Sequence, residues 1–178
     1  MTPFLEFTVL GRPQQRGSKQ AVLIPRRGGG WVEKNGRPIV AAKDDNPNSK
    51  IWMAEVRSAA ASAFGRGRQL INEPIVLSIQ FYFARPQSHF GSGRNAGVLK
   101  PTAPLIHAQS PDLAKLIRCF EDALKGVVWT DDKLVYRYEA TERRWTTTQE
   151  RAECAIFLLA NGANCIFQQE QNPVELLR

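Results

Sequence analysis

The chain carries 24 Lys/Arg against 17 Asp/Glu, a formal net charge of +7, so a place where acids gather on it is informative. Residues 110–135 read SPDLAKLIRCFEDALKGVVWTDDKLV. Asp112 stands at the start of a short predicted helix, and the pair Asp131-Asp132 follows that helix after a brief apolar run. Carboxylates delivered from a helix start and a nearby loop can converge on one point. Grouped carboxylates repel one another unless a cation sits between them. Oxygen ligands of this kind suit Mg²⁺ or Mn²⁺, and such an ion can polarise a phosphate and activate water. The same acids also have plainer uses. A negative charge at a helix N-terminus is worth about 0.3–1 kcal/mol by itself, and an Asp pair is an ordinary acidic turn.

These residues must be positioned by the elements around them. Residues 4–10, FLEFTVL, are β-rich and end at Gly11-Arg12-Pro13, which predicts a strand and a turn. A basic loop, 12–20, follows. Short strands are predicted at 21–25 and 38–42, joined by a segment with a flexible tip at Gly28-Gly29-Gly30. Asn46 and Pro47 open a helix to about Phe64, with Ile51, Trp52, Val56 and Ala59 as its apolar face and Gly65 as its stop. Residues 74–84, PIVLSIQFYFA, carry apolar residues in both registers and predict a central strand buried on two faces. From Arg85 to Gln109 the chain is rich in Gly, Pro, Ser and Asn, a stretch of the length that is usually functional or mobile. A helix over 111–125 puts Leu113, Leu116, Ile117, Phe120 and Leu124 on one face and stops at Gly126. Strands are predicted at 134–142 and 152–160. This order of elements implies an α+β domain with a mixed sheet and two main helices over 1–160, and a peripheral tail over 161–178.

Bulk properties narrow the class. At 178 residues and 43% hydrophobic content the chain suits one soluble domain. No apolar run approaches the roughly 20 residues of a membrane span, and the N-terminus lacks the pattern of an export signal. The expected location is the cytoplasm, with no membrane partner. Cys119, Cys154 and Cys165 are widely spaced and suit reduced thiols better than a disulfide framework. His89 and His107 lack metal-motif spacing and read as surface loop residues. Residues 1–50 hold nine Lys/Arg and four acids, and 85–109 hold Arg85, Arg94 and Lys100 with no acid. A polyanion, nucleic acid first, is the partner such a surface suits. Arg12, Arg16, Lys19, Arg94 and Lys100 are the candidate DNA contacts, because Lys and Arg supply many phosphate contacts in DNA complexes. Phe90 reads as a partly buried loop anchor.

Taken whole, PDLAKLIRCFEDALKGVVWTDDKLV resembles the signature of the RusA-type Holliday junction resolvases, many of them carried by phages and prophages. Pro111, Asp112, Leu113, Lys115, Leu116, Arg118, Asp122, Ala123, Leu124, Gly126, Asp131, Asp132 and Val135 fall at signature positions. Weaker likenesses in the opening strand, its basic loop and the helix around Trp52 extend the resemblance over about residues 4–142. The resemblance implies a RusA-like fold and a homodimeric, Mg²⁺-dependent endodeoxyribonuclease that cuts four-way DNA junctions in recombination and repair. It implies that Asp112 and Asp132 are metal-binding catalytic acids, with Asp131 an adjacent acid. Arg118 falls where the family usually has a catalytic lysine; a planar fork there replaces a compact charge. Lys115, beside the acids, suits phosphate contact.

One signature position departs. Ala114 stands where the pattern has an aspartate that the resemblance makes a metal ligand, and alanine cannot coordinate a cation. Two readings stay open: the acid was removed by design, or the chain belongs to a lineage that binds junctions without cutting them. The alternative to a nuclease is therefore a non-catalytic junction-binding protein.

Overall fold

The computed structural model describes residues 2–159. The strands of the main sheet are β1 (Leu5–Leu10), β6 (Ile75–Ala84), β7 (Val135–Tyr138), β8 (Glu142–Thr146) and β9 (Arg151–Leu158). Their order is β1-β9-β6-β7, with β8 also pairing β6. β9 runs antiparallel to both β1 and β6, while β7 and β8 run parallel to β6. Helices α1 (Asn48–Phe64) and α2 (Leu113–Leu124) complete the expected α+β architecture. A separate ribbon pairs β2 (Lys19–Leu23) with β5 (Val40–Asp44), and its tip is a two-residue-strand hairpin, β3 (Glu33–Lys34) with β4 (Arg37–Pro38). The turn of that hairpin falls at Asn35-Gly36, both at positive φ, rather than at the three glycines upstream.

Alternation builds the core. Leu5, Phe7 and Val9 from β1, Ile75 to Phe83 at every second residue of β6, and Ala152, Cys154 and Ile156 from β9 face the helices. Phe120 of α2 stacks on Phe7 at 6.0 Å and meets Phe81 edge-on at 5.9 Å. On the second face of β6, Ser78, Gln80 and Tyr82 are half-buried, so only the start of the strand, Ile75–Leu77, is apolar and buried in both registers. The expectation of a strand buried on two faces fails beyond that point because both helices pack on the same side. On α1 the buried set is Ser49, Trp52, Met53, Val56, Ala60 and Phe64, whereas Ile51 is 62% exposed. The stretch predicted as one strand, 134–142, breaks at Ala140, whose φ of 46° ends β7 and lets β8 resume along β6.

The glycine- and proline-rich segment after β6 is anchored. His107 is 3% exposed and lies against Trp145 at 4.1 Å and Phe83 at 4.6 Å; His89 is also buried, edge-on to Trp145 at 5.0 Å. Both histidines are thus packing residues, not the surface residues expected, because Trp145 arrives from β8 to cover them. Burial holds the His107 imidazole below its ordinary 6.5, and the nearby Arg143 and Arg12 charges push the same way. A base depressed on folding is neutral in the native chain and protonates first when unfolded. Its contribution is whole above 6.5 and is lost as pH falls below that value, by up to about 1.4 kcal/mol per pH unit. Replacing His107 by Phe is expected to flatten this part of the acid limb of a urea-midpoint profile; an unchanged limb would show that His107 does not titrate on unfolding.

Among the described residues, no helix is long and apolar enough to cross a membrane. Cys119 and Cys154 are buried, and Cys165 and the predicted tail over 161–178 lie outside the described residues.

Candidate active site

The segment 110–135 folds as α2 followed by a tight return. Asp112 caps α2: its Oδ1 accepts the Lys115 backbone N–H at 3.1 Å, which satisfies one of the helix's open donors. Two distant segments hold that end in place. Gln15 Oε1 accepts the Asp112 backbone N–H at 2.7 Å. Arg143, projecting from β8, donates from Nη1 to the Pro111 carbonyl at 2.7 Å and also to the Gln109 carbonyl. The basic loop lies along the helix. Arg16 donates its backbone N–H to the Lys115 carbonyl at 3.1 Å and pairs through Nε with Asp122 at 2.7 Å. Lys115 Nζ reaches Ser18 Oγ at 3.3 Å. Asp122, a signature acid, therefore serves to tie the loop to α2.

Ala114 and Arg118, four residues apart, are both exposed and share the outward stripe of α2, which continues through Glu121 to Lys125. At the far end Gly126, at φ 74°, stops the helix. Trp129 then returns fully buried, bridged to Ile71 and Lys125, and its Nε1 donates to Asp132 Oδ1 at 3.1 Å. Lys125 Nζ lies 3.4 Å from Asp132 and 3.6 Å from Asp131. The Lys133 backbone N–H, at 3.1 Å from Oδ1, and then the charge of Lys125 hold the Asp131 carboxyl below its usual range, against a small opposing effect of desolvation. Desolvation lifts the Glu121 carboxyl above its usual range, and the charges of Asp132 and Asp122 add to this although the Tyr138 hydroxyl donates to it at 2.6 Å.

The two ends do not meet within one chain. Asp112 caps the first turn of α2, and the Asp131–Asp132 pair is tied to the residue that follows the last. Twelve helical residues set those ends about 18 Å apart, whereas ligands of one Mg²⁺ must each lie about 2.1 Å from it. Among the described residues, no group of three or more His, Cys, Asp or Glu side chains could hold a metal ion. The acids of a single chain thus do not fit the divalent metal that the signature implies, and the convergence expected from the sequence is absent at this level.

A family model described as Endodeoxyribonuclease RusA matches residues 30–156. The chain belongs to the RusA endodeoxyribonuclease family. The RusA match spans α1, the main sheet except β1, and the whole of the 110–135 segment, and it leaves the opening strand and the 12–20 loop outside. No curated protein matches the chain.

Within this RusA-family domain the candidate DNA-contact residues fall on two surfaces. Arg12 is exposed at the loop after β1, 3.9 Å from Glu150. Arg16 and Lys115 lie beside Asp112, as described. Lys19 opens β2. Arg94 and Lys100 are exposed on the segment after β6, where Lys100 Nζ donates to the Ser88 carbonyl at 2.9 Å. Phe90 is half-buried there and pairs with Leu99. Sequence reasoning did not single out Gln15, Arg143 or Trp129. The first two act through contacts between residues far apart in the chain, which leave no local pattern. Trp129 carried a visible signal, an apolar run before an acid pair, that reads equally well as plain core.

Proposed function

We propose that this chain is built on a structure-specific endodeoxyribonuclease that cuts four-way DNA junctions, with Asp112 and Asp132 as its essential acids and Asp131 beside them. The observation that carries this reading is the RusA family match over the segment that holds both acids. Arg118, outward on α2 between them, is the cation we assign to the scissile phosphate, and Lys115 is placed to contact a neighbouring phosphate. Mg²⁺, with Mn²⁺ as the substitute, is the cofactor this reading calls for. The acids of one chain supply no common point for it, so no reaction step is derived through the ion. A second reading, junction binding without cleavage, is favoured by one residue, Ala114.

Competition binding tests the shared part of the two readings. The protein is expected to prefer a labelled four-way junction over duplex of equal length, and equal competition by the duplex would defeat both. Affinity is expected to fall steeply with salt as phosphate contacts release counterions. Arg94→Ala and Lys100→Ala are each expected to weaken binding to all sequences alike and to lower the log–log salt slope by about 1. An unchanged slope in either variant would remove that residue from the interface.

A further inference from the structure

We propose that the acidic site is assembled between two copies of this chain, with Asp112 of one copy facing Asp132 of the other. The inference rests on the junction-cleaving reading and deepens it. The observation behind it is that α2 separates the two acids end to end, with the outward stripe Ala114, Arg118, Glu121 and Lys125 running between them. A two-fold pairing answers that separation. Where the start of one α2 meets the end of another, symmetry brings the remaining two ends together as well, because each residue pair in an isologous contact occurs twice.

The surfaces beside the two ends fit that pairing. Near the Asp112 end, Leu105 and Ile106 are 85% and 75% exposed. Their segment is fixed in place: the Ile106 carbonyl accepts from Trp145 Nε1 at 3.2 Å, and Arg143 joins Gln109 and Pro111 to the start of α2. Near the Asp132 end, Tyr136 and Tyr138 on β7 are 61% and 46% exposed, and the Tyr138 hydroxyl bonds Glu121 of α2. An apolar patch thus flanks each end of the same helix, and exposed patches of this kind mark interaction surfaces. An antiparallel two-fold sets the Leu105–Ile106 patch of one copy on the tyrosines of the other while it aligns Asp112 with Asp132. It yields two equivalent sites, one for each of the two strands a junction-resolving enzyme must cut. The occupant of these patches is a second copy of this chain.

Cross-linking tests the arrangement without relying on activity. One tagged chain carries Asp112→Cys and a differently tagged chain carries Asp132→Cys, both with Cys165→Ser; Cys119 and Cys154 are buried and do not compete. Mild oxidation of the co-expressed pair is expected to give a covalent heterodimer at twice the chain mass. Absence of that species, or an intrachain disulfide in a chain bearing both substitutions, overturns the proposal, since a disulfide needs Cα atoms within about 7 Å. Complementation supplies the functional arm in an Ala114→Asp background. Asp112→Asn and Asp132→Asn homodimers are expected to be inactive, while their heterodimer retains one intact site and nicks junctions at about half the parent rate. A dead heterodimer beside a cutting parent overturns the shared site. A parent that does not cut defeats the nuclease reading instead, and the cross-link then decides the arrangement alone.

Discussion

Replacing Ala114 by aspartate is expected to raise Mg²⁺-dependent cleavage of four-way junctions by on the order of 10²-fold or more, the scale on which one preorganised charged contact at a reacting centre acts. The expectation begins with position. Ala114 is exposed on the first turn of α2, two residues after the capping Asp112 and on the same outward stripe as Arg118. The backbone there is already held by Gln15 and Arg143, so an added carboxylate needs no rearrangement to point outward. Stability does not oppose it. Aspartate is a poorer helix former than alanine by up to about 0.7 kcal/mol, and a negative charge in the first turn returns about 0.3–1 kcal/mol. The variant should therefore unfold at nearly the parent urea midpoint. Junction cleavage in Mg²⁺, with EDTA as the control, gives the answer: a folded variant that cuts no better than its parent would sink the idea that Ala114 is what limits this chain.

Truncating Trp129 to alanine is expected to cost about 3–5 kcal/mol, the range for a fully buried large aromatic. Trp129 fills the return after α2 and is bridged to Ile71 on one side and Lys125 on the other, so its loss opens the floor beneath the acid pair. Trp129→Phe separates packing from positioning. It keeps most of the buried ring and removes the N–H that Asp132 accepts, at about 1–2 kcal/mol, because the freed carboxylate is partly exposed and turns to water. In an Ala114→Asp background the Phe variant is expected to stay folded and to lose junction cleavage. Full activity in that variant, with the midpoint lowered as stated, would mean that the indole does not position Asp132.

How much of this was readable in the chain depends on how local the cause is. The periodicity of α2 is local, and Leu116, Phe120 and Leu124 are buried as predicted. Cys119 and Ala123, small residues that a pattern of large apolar side chains passes over, complete that face. The register of α1 was misjudged at Ile51 because helical spacing alone allows neighbouring faces, and the sheet then selects Trp52, Met53 and Val56. His89 and His107 looked solvated because their neighbours are glycines and prolines, yet their burial is set by Trp145, from a strand far along the chain.

By itself, the sequence determined the family and the inventory of chemistry, because the 110–135 signature is a string of residue identities that survives without coordinates. It also determined that Asp112 is a cap and that Ala114 cannot ligate, since both follow from side-chain type and helical position. Only the tertiary structure decided where the acids stand relative to one another. Rise along a helix separates residues that are near in the alphabet of the chain, and the packing of Trp129 fixes Asp132 at the end opposite Asp112. That separation, which no local pattern records, is why a second copy of the chain belongs in the site.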